Sequence, residues 1–158
     1  MQKITPFLWF DGDAGEAMQF YASIFPNSKI IEQSRTDNMP GPSSSMVTGT
    51  MHLNGQDIMV ISTSNAPGFK FNDSFSLHVL CNTQEEVDNY WEKLIAGGEP
   101  GPCGWLKDKY GLSWQIVPAT LYQLMNDPDP AKSQRVMEAM LKMGKFDIAG
   151  LQRAYDGA

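Results

Sequence analysis

Cysteine and histidine are scarce in this 158-residue chain, at two of each. Cys81 and Cys103 cannot build a disulfide framework, and so little cysteine fits a reducing compartment. Basic residues are also few. The 12 Lys and Arg stand against 18 Asp and Glu, for a net charge of −6. No Lys/Arg cluster interrupts that balance, which argues against nucleic-acid or anionic-membrane partners. No apolar run is long enough to span a bilayer. The opening residues, Met1-Gln2-Lys3-Ile4-Thr5-Pro6, lead into strand-like sequence without the basic and apolar regions of a signal peptide. The expectation is a soluble, cytoplasmic protein. Its length allows one domain with a real core, or two small modules sharing one.

What is present is a pattern that occurs twice. Ile4–Phe10 reads as a strand. Asp13 or its neighbour can cap a helix over Ala14–Phe25, where Ala17, Phe20, Tyr21, Ile24 and Phe25 fall on one face. Lys29–Arg35 reads as a second strand and Asn38–Ser45 as a mobile loop. Met46–Leu53 and Gln56–Ser62 follow as strands joined by Asn54-Gly55, a strong hairpin signal. After a loop over Asn65–Asp73 the order restarts. Phe75–Cys81 is a strand. Thr83 with Glu86 makes a capping box for a helix carrying Val87, Tyr90, Trp91, Leu94 and Ile95. Short strands come next, in "CGWLKDKYGLSWQIVP" (Cys103 to Pro118), around a turn at Lys109-Tyr110-Gly111-Leu112. Glu99–Pro102 leaves little room for a second strand in this copy. A helical tail, with Ala131–Met143 and Asp147–Tyr155 as helices, is expected to pack outside the sheets.

The doubled plan, with "TPFLWFDGDAGEAMQFYASIFPNS", resembles the vicinal-oxygen-chelate superfamily of glyoxalase I, ring-cleaving dioxygenases and bleomycin-resistance proteins. "SFSLHVLCNTQEEVDNYWEKL" and "CGWLKDKYGLSWQIVP" resemble its 3-demethylubiquinone 3-methyltransferase-like branch, related to phosphonate-operon B-like proteins. The resemblance implies an α+β fold of one glyoxalase-like domain. Two βαβββ modules, about 3–64 and 74–118, would form curled mixed sheets around a shared cleft, with a helical tail over 119–158. It also implies metal ligands near Thr5, Met59, Ser76 and Gln115. Hydroxyls, a thioether and one amide are poor ligands for zinc, iron or manganese. The expectation is therefore no metal and no cofactor.

Strand alternation assigns faces. Pro6, Leu8 and Phe10 suit the core, leaving Thr5, Phe7 and Trp9 to the cleft. Phe75, Leu77, Val79 and Cys81 suit the core, leaving Ser76, His78 and Leu80. Leu112, Trp114 and Ile116 suit the core, leaving Ser113, Gln115 and Val117. If Leu106 is core, Trp105 and Lys107 join the open face. His52, on the polar side of Thr48-Thr50-His52, and His78 are either an acid/base or metal pair, or strand-surface hydrogen-bonders. Cys103 shares a strand face with Lys107 but reads more plainly as a small hydrophobe. The candidate ligand-binding residues are Phe7, Trp9, His52, Ser76, His78, Trp105, Lys107 and Gln115. The aromatics among them suit a flat organic ligand, or else the tail or a partner subunit. No glycine-rich turn has the setting of an S-adenosylmethionine site. The expected activity is small-molecule binding, with a superfamily enzyme as the alternative. The expected partners are a small molecule and, by analogy and from the apolar Met137, Met140, Leu141 and Met143, a second copy in a homodimer.

Overall fold

The computed structural model describes residues 3–65 and 68–158. Residues 66 and 67 of the expected Asn65–Asp73 loop, and Met1 and Gln2 of the opening stretch, lie outside the described residues. The elements run β1 (Phe7–Phe10), α1 (Ala14–Ile24), β2 (Lys29–Asp37), β3 (Ser45–Leu53), β4 (Gln56–Thr63), β5 (Ser76–Cys81), α2 (Gln84–Ile95), β6 (Glu99–Pro100), β7 (Trp105–Lys107), β8 (Ser113–Pro118), α3 (Ala119–Met125), α4 (Pro130–Met140) and α5 (Ile148–Asp156). The chain divides into two compact units, Met1–Lys70 and Phe71–Ala158. No helix among the described residues is long and apolar enough to cross a membrane.

In the first unit the sheet order is β1-β4-β3-β2, with β1 parallel to β4 and the other pairs antiparallel. The Asp13 carboxylate starts α1 by accepting from the Gly15 and Glu16 N–H groups at 2.7 and 3.1 Å. Asn54 and Gly55 turn the β3–β4 hairpin with φ of 42° and 99°, as a primed turn requires. Leu8, Phe10, Met18, Tyr21, Met51, Ile58 and Val60 are buried between α1 and the sheet. The strand expected from Ile4 begins at Phe7 instead, and Ile4 is 91% exposed. Among the described residues no strand pairs with Ile4.

The second unit repeats the plan as β5-β8-β7-β6, with β5 parallel to β8. Thr83 caps α2 by accepting from Glu86 N–H. The return half of the expected capping box is displaced: the Glu86 carboxylate accepts from Asn82 N–H at 2.6 Å. The compression of this copy shows in β6, which is two residues long, ends on a proline and lies at the sheet edge.

Alternation misassigned three residues here. Phe75 precedes the strand and is 42% exposed. Ser113 and Val117 are buried on the face read as open. Ser113 is held by the Asp73 carboxylate, and Val117 lies at the end of β8 where α3 packs. Cys103 is not on a strand. It occupies a turn with φ 54°, so strand alternation with Lys107 does not apply.

The turn of the quoted hairpin is organised by Asp108, a residue without a role in the strand reading. Its carboxylate accepts from Tyr110 N–H, Leu112 N–H and the Trp114 indole at 2.8, 3.1 and 2.8 Å. These bonds offset the cost of burying the group. In the tail, α3 starts directly at Ala119. Its seven residues are too few for helical periodicity to stand out in the sequence. The tail belongs to the second unit, with Val136, Phe146 and Leu151 buried.

Candidate functional site

The exposed face of the second sheet gathers five of the eight candidates. Register sets their order, because cross-strand partners share a face. Gln115 stands opposite His78 on β5 and opposite Trp105 on β7, and Lys107 stands opposite Ser113. The Gln115 amide donates to Ser76 Oγ at 2.9 Å. His78 Nε2 bonds the Tyr122 hydroxyl at 2.9 Å, with donor and acceptor set by the tautomer. Ser113 Oγ donates to Asp73 Oδ1 at 2.7 Å, and the Lys107 ammonium lies 3.5 Å from the same carboxylate. The Ser113 hydrogen bond, then the Lys107 charge, hold the Asp73 carboxyl below its ordinary range against a smaller opposing effect of burial than the hydrogen bond.

An open cavity of about 530 Å³ adjoins this face, lined by Asp73, Glu99, Pro100, Gly101, Pro102 and the strand residues Trp105–Lys107. It offers an indole, an ammonium and two carboxylates along an otherwise apolar wall. Asp73 and Tyr122 were absent from the sequence reading. Asp73 sits in a loop with no periodicity, and Tyr122 on the unread α3. The only available signal was the aspartate's place just before a strand.

The first unit holds the other three candidates. Phe7 and Trp9 are exposed at 54% and 37%, and stand opposite Met59 and Ile61. Trp9 meets Phe69 edge-on with ring centroids 5.4 Å apart. His52 lies one row beyond, at the hairpin end. Its Nδ1 is 2.5 Å from Asp57 Oδ1, while Nε2 accepts from Gly55 N–H at 3.2 Å. Asp57 and the Gly55 amide thus engage both ring nitrogens of His52 in closing the turn.

The four positions implied as metal ligands fall in both units. Thr5 and Met59 lie in the first, Ser76 and Gln115 in the second. Among the described residues, no group of three or more His, Cys, Asp or Glu could hold a metal ion. Neither cysteine is set up as a nucleophile. Burial, then Glu86, pushes the Cys81 thiol up to about 12. Cys103 donates its S–H to Met140 O at 3.5 Å.

Comparison with known proteins agrees with this architecture. A family model for 3-demethylubiquinone-9 3-methyltransferase matches residues 2–117. The PhnB protein of Bacillus cereus is 43% identical, with a TM-score of 0.67, over 75% of this chain and 100% of its own. A Pseudomonas aeruginosa protein is 15% identical (TM-score 0.53), over 75% of this chain and 98% of its own. The fosfomycin resistance protein FosX of Listeria monocytogenes is 20% identical (TM-score 0.55), over 77% and 94%. These last two are likenesses of fold. No curated protein matches the chain.

Proposed function

This chain belongs to the 3-demethylubiquinone-9 3-methyltransferase family, within the vicinal-oxygen-chelate superfamily, and on that footing we propose that it binds a small, flat organic molecule without a resident metal. The observation that carries this reading is the second sheet's exposed face. Ser76, Gln115, His78, Tyr122 and Lys107 are ordered there by hydrogen bonds and an ion pair beside a Trp105-lined cavity. Such a face offers fixed donors and acceptors next to an aromatic plane.

The metal-free part of the reading rests on donor chemistry. FosX has been solved with Mn(II), but at 19% identity that likeness carries the fold and not the metal. At the implied positions a lone amide oxygen, neutral hydroxyls and a thioether compete poorly with water for a divalent cation. The methyl transfer in the family's description is not part of the proposal. At the start of α1 the Ala14 N–H is taken by Ser62 Oγ and the Gly15 and Glu16 N–H groups by the Asp13 carboxylate, so these amides are already engaged.

One observation favours a second, enzymatic reading. The His78–Tyr122 hydrogen bond joins two titratable groups on an exposed surface and could move a proton to or from a ligand.

The proposal extends to a cytoplasmic homodimer. Met137 on α4 and Leu141 at its C-terminal cap leave apolar surface, Leu141 at 63% exposure. A stable pair would bury on the order of 1,200–2,000 Å². Sedimentation showing one chain's mass at all concentrations removes the dimer.

A thermal-shift screen over aromatic acids, amines and alcohols tests binding. A true ligand at a hundred times its Kd stabilises the native state by about 2.7 kcal/mol. A screen without a hit defeats the reading. One equivalent of zinc, iron or manganese retained by untagged protein after dialysis defeats its metal-free part.

A further inference from the structure

The family model ends at residue 117, yet the chain continues through α3, α4 and α5. This extension does more than cover the second unit. Between α4 and α5 it crosses the loop that precedes β7. Cys103 N–H donates to Met143 O at 2.8 Å, and Gly104 N–H to Gly144 O at 2.7 Å. Two successive amides of the loop are thus paired by two successive carbonyls of the tail. Phe146 is fully buried against the same loop. A Cβ at Gly104 would lie 2.5 Å from Phe146 Cε2 and 2.7 Å from Ile116 O, and φ there is 79°. Only glycine admits this approach.

The far end of the crossing is latched to α2. The Gln84 amide donates to Phe146 O at 2.9 Å, and its carbonyl accepts from Ile148 N–H at 2.8 Å. The Lys145 ammonium sits 2.6 Å from Asp88, one turn further along α2. Residues 140–148 therefore form a strap held at α2 on one side and gripping Cys103-Gly104 on the other.

The gripped loop is a wall of the cavity. Gly101 and Pro102 line it, and Trp105, also lining it, follows directly. Inside the loop, Gly101 N–H donates to Trp105 O and Trp105 N–H to Pro102 O, at 2.8 and 3.0 Å. These bonds close a small ring whose outward amides are those the strap occupies. If the strap is released, the Cys103 and Gly104 amides lose their partners, and Gly101-Pro102 is left with only the bonds to Trp105, while Trp105 stays paired to Gln115 of β8.

We propose that the strap over 140–148 sets the width of this cavity, so that ligand selection by size is governed from the C-terminal extension and not from the family-matched segment alone. The proposal rests on the reading that the cavity holds the ligand. Gln84, Lys145 and Phe146 are positioning residues in it, since none of them lines the cavity.

The test compares wild type with Gln84→Ala and Phe146→Leu, each checked by urea denaturation to be folded under assay conditions. Amide hydrogen exchange is followed at Cys103 and Gly104. Binding is measured by Trp fluorescence for benzyl alcohol, 2-naphthalenemethanol and 9-anthracenemethanol, a neutral series graded in width. In Gln84→Ala both amides are expected to exchange about tenfold faster, since a local opening becomes easier. The wild-type preference within the series should flatten or move toward the widest probe. A merely structural role would lower the denaturation midpoint but leave the order of the probes unchanged, and that result overturns the proposal. So does unchanged exchange at Cys103 and Gly104 in both variants. Failure of all three probes to bind wild type defeats the binding reading and the proposal together. Binding to wild type with an unaltered order in the variants defeats the strap alone.

Discussion

The two sheets share a strand order and differ in what they expose. On the first, Phe7, Trp9 and Met59 are exposed large apolar side chains. Thr50 donates to Glu32 at 2.9 Å, and His52 is committed to its own hairpin turn. On the second, nearly every outward polar group is tied to another: Ser76 to Gln115, His78 to Tyr122, Ser113 and Lys107 to Asp73. A repeated backbone plan therefore does not repeat its chemistry. The first face offers area, which attracts without direction. The second offers oriented donors and acceptors, which specify.

The largest expected effect lies where the second unit depends on a buried carboxylate. Asp108→Ala leaves two backbone amides and the Trp114 indole without that acceptor. A loss of roughly 3 kcal/mol or more in urea denaturation is expected. A loss under about 1 kcal/mol would mean water replaces the carboxylate, and the second hairpin would be no more demanding than the first.

Gly104→Ala comes next. The new Cβ meets Phe146 and the Ile116 carbonyl in a left-handed conformation, for a loss of about 2–3 kcal/mol. On the first sheet, Phe7→Ser removes a side chain already half in solvent and is expected to cost about 1 kcal/mol at most. A Phe7→Ser penalty as large as that of Gly104→Ala would erase the contrast between the units.

Thiol labelling reads the second unit by itself. At pH 8, iodoacetamide should modify Cys103 before Cys81, because the buried Cys81 thiol, with its pKa near 12, stays protonated. Cys81 should label only as the unit opens. Equal rates in native protein would sink this.

The smallest effect is on acid stability. The Asp73 carboxyl titrates below its ordinary value in the folded state. Its contribution is thus fully present above the ordinary carboxylate pKa of about 3.9 and fades as pH falls through the folded value. Asp73→Asn should flatten that acid limb slightly. An unchanged limb means the Ser113 and Lys107 contacts carry no linkage.

Much of the architecture was legible from local pattern. The Asn54-Gly55 turn, the Asp13 and Thr83 caps and the 3- and 4-residue apolar spacing in α1 and α2 are local signals with local causes. The same alternation rule placed Phe7, Trp9, His78, Trp105 and Lys107 on the less buried faces of their strands, because side chains of a strand must alternate. It failed at Ser113 and Val117. Their burial comes from Asp73 and from α3, segments whose arrival the strand itself does not encode.

What this sequence determined by itself was the doubled strand–helix–strand plan, the poverty of metal-binding side chains at the implied ligand positions, and the acidic surface. The plan and the charge follow from residue type and near-neighbour spacing, while the ligand positions are those the family resemblance implies. Only the tertiary structure decided that His78 meets Tyr122 and that Phe146 fills the space beside Gly104. Both join residues more than 40 positions apart. Nothing local distinguishes such partners from any other tyrosine or phenylalanine until burial of the core brings their segments together.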